Sequence, residues 1–298
     1  MSPRLPAVSP SAYRRVTLCA LVALGFIVVT GGAVRLTGSG LGCPDWPTCD
    51  RSQVIRVVPS DFHATVESVN RTITGVVSVF VMLAVLGSVF RRPRRRDLVW
   101  LSLGLVAGVI GQIVLGGLTV IFELRPELVM AHFLVSMVLI ANAVVLHERA
   151  GRDEGRWVPI GRREVMALGR LVVVAAGLVL LLGTVVTSSG PHGGDDRAER
   201  FPFLVSDVAR LHGLAAFLLL AVTLGALWRL WQLGVVPALI RRAEVLLAVL
   251  VGQGVVGYVQ YFTGVPALLV GVHIAGAAAT WAAAVRFQQA FWVPASMH

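Results

Sequence analysis

Eight runs of predominantly apolar residues alternate with short polar connections, near 16–34, 65–90, 98–121, 128–147, 166–187, 207–231, 243–262 and 267–289. Each reaches about 20 residues, the length a helix needs to cross a hydrocarbon core roughly 30 Å thick. The first run is long, lacks a convincing small-x-small cleavage site and is followed by further spans. It therefore reads as a retained helix and not as a signal peptide. The pattern predicts an all-α membrane protein with eight transmembrane helices.

Composition narrows this further. Of 298 residues, 56% are hydrophobic and 14% charged, against about 25% charged in an ordinary soluble domain. A soluble enzyme, a secreted disulfide scaffold and a disordered basic tail are excluded. The 26 basic residues, all arginine, exceed the 16 acidic ones to give a net charge of +10. They lie in clusters between apolar runs, which points to membrane lipid and not to nucleic acid as their surroundings. Arg4, Arg14 and Arg15 precede the first span, and Arg91, Arg92, Arg94, Arg95 and Arg96 separate the second from the third. Arg149, Arg152, Arg156, Arg162 and Arg163 separate the fourth from the fifth, and Arg241 and Arg242 the sixth from the seventh. The alternate loops hold Asp45, Asp50, Asp61, Glu123, Asp195 and Asp196. By the positive-inside rule both termini are expected on the cytoplasmic side of the cell membrane. The loop with Cys43 and Cys49 then faces outward, where the two could pair. Cys19, inside an apolar run, reads as inert.

The chain also repeats itself. Gly111-Gln112 and Gly252-Gln253 are 141 residues apart, as are His132 and His273. Asn70 and His212 are offset by 142, and the segment 32–40 resembles 183–190 with one gap. Both halves begin on the same side, so the repeat is parallel. The expected organisation is two four-helix bundles, 1–150 and 165–298, joined by a charged linker over 151–164.

Polar groups within a bilayer are costly and mark candidate sites. An isolated membrane histidine reads as a hydrogen-bonded packing residue, but His132, His212 and His273 recur at related positions. Each is expected roughly 6–9 Å below the outer end of its helix. His212 and His273 fall in one half and could clasp one iron from opposite sides. Two imidazoles with no thiolate or carboxylate fit a six-coordinate haem better than zinc, which takes four ligands. His147, His192 and His298 read as solvated surface residues.

The first half departs from this symmetry, with Asn70 where the second has His212. His63, Glu67 and Asn70 share one helical face. Glu67 reads either as a helix-start acid at the positive end of the dipole or as an acid or base beside a group held by His132. An iron with one protein ligand keeps a position for chemistry, whereas one with two transfers electrons. Arg35, Arg71 and Arg210 stand at outer helix ends, as interfacial anchors or partners for haem propionates. Gly38, Gly40, Gly42, Pro44 and Pro47 make the Trp46 loop a compact, turn-rich lid. Gly104, Gly108, Gly111, Gly116, Gly117, Gly252 and Gly257 read as close-approach surfaces, and Gln112 and Gln253 as packing residues.

At these residues the chain resembles the haem A synthase family. The resemblance rests on G-G-A-V-R-L-T-G-S-G-L-G-C-P-D-W-P-T-C (31–49), E-S-V-N-R (67–71), G-Q-I-V-L-G-G-L-T-V (111–120), A-H-F (131–133), L-H-G (211–213) and V-H (272–273). It implies oxidation of the C8 methyl of haem O to the formyl of haem A, for assembly of a terminal oxidase. It further implies haem b as cofactor between His212 and His273, and haem O as substrate on His132. Glu67 would be the essential acid, with Asn70, Arg71 and Arg35 around the substrate, and Cys43 and Cys49 would form an outer-loop disulfide. Haem O synthase and a second copy of the chain are the implied protein partners; the electron acceptor stays unnamed. Family members often carry E-x-x-H-R where this chain has E-S-V-N-R, so a substrate iron on His132 alone is expected, with Asn70 hydrogen-bonding nearby. A membrane cytochrome that only carries electrons on haem b, or a haem carrier without catalysis, are the competing readings.

Overall fold

The computed structural model describes residues 7–43, 45–49, 61–152, 157–160 and 163–295. Pro44, Asp50, Arg4, Arg156, Arg162 and His298, named above, lie outside the described residues. Eight helices follow one another: α1 (Pro10–Leu36), α2 (Phe62–Phe90), α3 (Arg96–Ile121), α4 (Pro126–Ala150), α5 (Arg163–Ser189), α6 (Val205–Gln232), α7 (Pro237–Phe262) and α8 (Ala267–Gln289). All eight are long and apolar enough to cross a membrane. The protein is a multi-pass membrane protein. Helices are what lipid permits, because each span must satisfy its own backbone hydrogen bonds.

The helices outrun the apolar stretches that announced them. Ser9 caps α1 by accepting from the Ala12 N–H, and Asp61 caps α2 by accepting from Ala64. Proline opens α1, α4 and α7, where a missing N–H costs nothing. As a result Arg241 and Arg242 lie within the first turns of α7 and not in a loop.

The chain divides into two compact units, one of Met1–Arg152 with Gly194–Ala198, the other of Asp153–Gly193 with Glu199–His298. In the first, α1 packs on α2, α2 on α3, α3 on α4 and α4 back on α1. Its apolar core, including Leu24, Val81, Leu105, Leu139 and Leu146, fills the end of the bundle that carries the arginine clusters. In the second, α5, α6, α7 and α8 close the same kind of ring. Its core of Val172, Leu219, Leu230, Leu246, Phe287 and Phe291 again fills the arginine-rich end. The opposite end of each bundle is left for polar side chains. The α3–α4 and α7–α8 turns are built alike. The Leu124 N–H donates to Thr119 O at 2.7 Å and the Val265 N–H to Gln260 O at 2.8 Å. Leu124 and Val265 both have left-handed backbones, at φ 61° and 59°.

One element escapes the helical pattern. In the second unit β1 (Trp157–Pro159) pairs antiparallel with β2 (Trp292–Pro294), so that two W-V-P segments form a two-stranded sheet. Three residues are too short to show a two-residue period, which is why the sequence reads the first segment as part of the charged linker and leaves the second beyond the last span.

Gly169 on α5 lies against Phe291, which is fully buried and meets Phe287 edge to face with ring centres 5.0 Å apart. A methyl group at this position would come 2.5 Å from the Phe291 ring. Gly169→Ala is therefore expected to destabilise the second unit by about 1–3 kcal/mol, the usual cost of overpacking. A lowered thermal midpoint of the detergent-solubilised protein checks this.

Candidate functional site

The second unit brings His212 of α6 and His273 of α8 together. These helices are alternate members of the ring, so the two imidazoles meet across the bundle interior. Their ring centres are 6.3 Å apart and their planes cross at 70°. A metal bound about 2 Å from one nitrogen of each ring sets the ring centres roughly 6 Å apart, so the pair fits a shared iron. His212 Nδ1 is 3.1 Å from the carbonyl oxygen of Val179 on α5. Donation from Nδ1 to that carbonyl fixes the tautomer and leaves Nε2 for a metal. Gln253 of α7 donates from Nε2 to the His273 carbonyl at 2.8 Å.

In the first unit His132 of α4 is held in the same way. Gln112 of α3 donates to the His132 carbonyl at 2.9 Å and to Ser136 Oγ at 2.7 Å. A methyl group at Gly116, one turn further along α3, would stand 3.5 Å from His132 Cε1. Asn70 Oδ1 accepts from the Thr30 hydroxyl of α1 at 2.8 Å.

Glu67 and Arg71, one turn apart on α2, hold the Cys43–Cys49 loop. Cys43 and Cys49 are disulfide-bonded, with Cα atoms 4.4 Å apart. The Cys43 N–H donates to Glu67 Oε2 at 2.8 Å, while Arg71 donates from Nε at 3.1 Å and from Nη2 to Glu67 Oε1. Arg71 Nη1 also donates to the carbonyls of Asp45, at 3.1 Å, and Thr48, at 2.9 Å. Glu67 is 5% exposed, so the carboxylate is withdrawn from solvent with its counter-charge and a backbone donor in place. Gly42 packs against the backbone of His63 and Ala64, where no side chain fits. The Trp46 indole lies on Gly117 of α3, leaving 2.6 Å to where a β-carbon would sit. The loop is thus pinned from α2 and α3.

Gly194–Ala198 adds to the same face of the first unit. The Gly40 N–H donates to Gly194 O at 2.8 Å, and Leu124 packs against both glycines. Arg35 lies beside Gly194, its Cγ 3.6 Å from where a β-carbon would sit. His63 Nδ1 is 3.0 Å from Ser39 Oγ. Burial raises the Asp195 carboxyl pKa, but bonds from Arg197 and the nearby His63 outweigh this and hold it below the ordinary range.

A family described as cytochrome oxidase assembly protein, COX15-CtaA, matches residues 14–191, more than half of the chain. The chain belongs to this family. It is similar to the Heme A synthase of Geobacillus kaustophilus, 32% identical over 109 residues, which are 36% of this chain and 32% of that protein. The Heme A synthase of Listeria monocytogenes is 31% identical over 122 residues, 40% of each chain. That of Geobacillus thermodenitrificans is 33% identical over 110 residues, 36% of this chain and 32% of that one. The matched segments span between about a third and two fifths of these relatives' lengths.

In this COX15-CtaA chain several residues take up other positions than their spacing alone indicates. His147 and His192 are half-buried: His147 Nδ1 lies 3.0 Å from the Thr17 hydroxyl, and His192 Nε2 lies 2.9 Å from Val265 O. Both sit where a helix end meets a neighbouring element, so each is a local tie and not a solvated residue. Gly111 and Gly252 have open space where a β-carbon would stand, unlike Gly104, Gly108, Gly116, Gly117 and Gly257. Arg210 is largely exposed and 3.8 Å from Asp207. Cys19 is a free, exposed cysteine. Thr30, Val179 and Ser136 were not signalled by the sequence, since a hydroxyl or a carbonyl on a helix gains meaning only from its neighbour.

Arg71→Lys keeps the charge of the latch but replaces a planar fork with a point donor. Losing about 1.5 kcal/mol, the low end for a hydrogen bond to a charged group, raises the open population of the loop roughly tenfold. Amide hydrogen exchange at Cys43 is expected to accelerate by that factor.

Proposed function

We propose that this chain is a haem A synthase of the cell membrane, oxidising the C8 methyl group of haem O to a formyl group. The observation that carries the reading is the inequality of the two bundles. One brings His212 and His273 together at a separation suited to a single iron; in the other, His132 is matched by Asn70, an amide, at the position related to His212. Relatives that carry the name Heme A synthase support the same reading. His212 and His273 would hold haem b, which when bound supplies one-electron transfer. His132 would be the protein ligand of haem O, with Asn70 kept beside the pocket by Thr30 and Arg35 at its outer margin.

Two successive two-electron oxidations, each adding one oxygen atom to the methyl carbon at the expense of an oxidant from outside the chain, give an alcohol and then a hydrated aldehyde, which loses water. Glu67 is the acid–base residue of this proposal. The Cys43 amide and the Arg71 guanidinium hold its carboxylate in one orientation, and burial keeps bulk water from competing for its proton. Arg71, already engaged by Glu67 and the loop carbonyls, acts on the substrate through Glu67. The arginine clusters support a topology with both termini and the 151–164 linker on the cytoplasmic face, the disulfide loop outside and the halves related as a parallel repeat. Haem O synthase, as donor of the substrate, and a second copy of the chain complete the proposed partners.

Co-expression with a haem O-producing enzyme, followed by pyridine haemochrome analysis, tests the proposal. Haem A is expected. Two stable b haems would make the protein an electron carrier, and unchanged haem O a haem carrier. Glu67→Gln is expected to keep haem b and to lower haem A formation by about 100-fold or more, the scale of a lost acid–base group. Normal haem A yield from that variant would remove Glu67 from the chemistry. In His132→Ala the haem b spectrum is expected to persist while haem O no longer co-purifies.

A further inference from the structure

Metal-bound histidines are ordinarily oriented by a hydrogen bond from the ring nitrogen that does not touch the metal. His212 follows this rule through Val179. His273 does not: its Nδ1 is buried and has no hydrogen-bond partner. Its ring is nevertheless confined, because a methyl group at Gly257 of α7 would come 2.8 Å from His273 Cε1. On the other side of the pair, a methyl group at Gly183 of α5 would come 3.0 Å from His212 Cε1. Each imidazole therefore lies edge-on against a helix backbone bared by glycine. The first unit is looser. His132 Nδ1 is likewise buried and unpartnered, but Gly116 leaves 3.5 Å, an ordinary van der Waals distance.

We propose that Gly257 and Gly183 are positioning residues that set the crossed planes of His273 and His212, and so the electronic character of the iron between them. This rests on the reading of the pair as haem b ligands. The orbital splitting of a low-spin ferric haem depends on the angle between its two axial imidazole planes. Crossed planes give a strongly anisotropic electron paramagnetic resonance signal, and near-parallel planes a rhombic one. In the second unit backbone contact stands in for the missing hydrogen bond on His273. Gln253 fixes the height of the ring through its carbonyl, and Gly257 fixes its rotation. The wider clearance at Gly116 leaves His132 free to turn, which suits a group that must enter and leave.

The test is the low-temperature resonance spectrum of the ferric protein purified with its haem b. The wild type is expected to show the anisotropic low-spin signal. Gly257→Ala and Gly183→Ala each force a ring to turn, and should move that signal toward the rhombic form or convert part of it to high spin. Gly252→Ala makes the same change on the same helix where nothing lies within 4 Å, and is expected to leave the signal unchanged. Gly116→Ala should leave it unchanged as well. If Gly257→Ala does not yield folded protein, Gly183→Ala decides alone. Wild-type spectra from both α5 and α7 variants, or an equal shift in Gly252→Ala, would overturn the assignment. A wild type with no two-imidazole low-spin signal would instead sink the haem b reading itself.

Discussion

An imidazole inside a four-helix bundle needs room that side chains would otherwise fill. In lipid no hydrophobic force draws helices together, so association depends on close packing and on the polar contacts made within the bundle. The chain reconciles the two by dividing each bundle lengthwise. Leucine, valine and phenylalanine fill the arginine-rich end, as with Leu219, Leu230, Leu246 and Phe287 in the second unit. At the other end glycine replaces them, and the histidines occupy the space so made. The glutamines anchor this arrangement, because Gln112 and Gln253 both tie a preceding helix to the carbonyl of a histidine. Ring position is thus a property of helix backbones, which move less than side chains do.

The disulfide loop follows a different logic. Its short, turn-rich segment has little apolar area with which to fold by burial. It is instead closed covalently by Cys43–Cys49 and tied to α2 by charge, with Glu67 reading an amide and Arg71 reading two carbonyls. An unpaired carboxylate in that setting would be strongly disfavoured, so the Glu67–Arg71 pair and the loop stabilise one another. Trp46 supplies a large apolar contact, on Gly117.

Much of this was legible in the sequence. Span length and arginine clustering gave the eight helices, because the bilayer imposes both. The spacing of 141 residues singled out His132 and His273, and the parity of Cys43 and Cys49 in a polar loop suggested their bond. Other features were hidden for physical reasons. That Glu67 meets the Cys43 amide depends on how the loop returns over α2, which no helical periodicity encodes. Asn70 was visible as a departure, but its partner Thr30 lies 40 residues upstream among many similar hydroxyls. The β1–β2 pairing joins segments 135 residues apart by backbone groups alone, and backbone groups carry no sequence signal.

The docking of Gly194–Ala198 on the first unit bears on the order in which the protein is made. Helices α1 to α4 leave the ribosome and enter the membrane first, yet Gly40 finds its backbone partner only in Gly194. That residue emerges after α5 has been synthesised. The loop-bearing face of the first bundle is therefore finished late, by chain that belongs, in synthesis, to the second half. A ribosome stalled between α4 and α5 would leave four helices whose loop-bearing end still lacks a piece, and severing the chain there would turn an intramolecular contact into a bimolecular one.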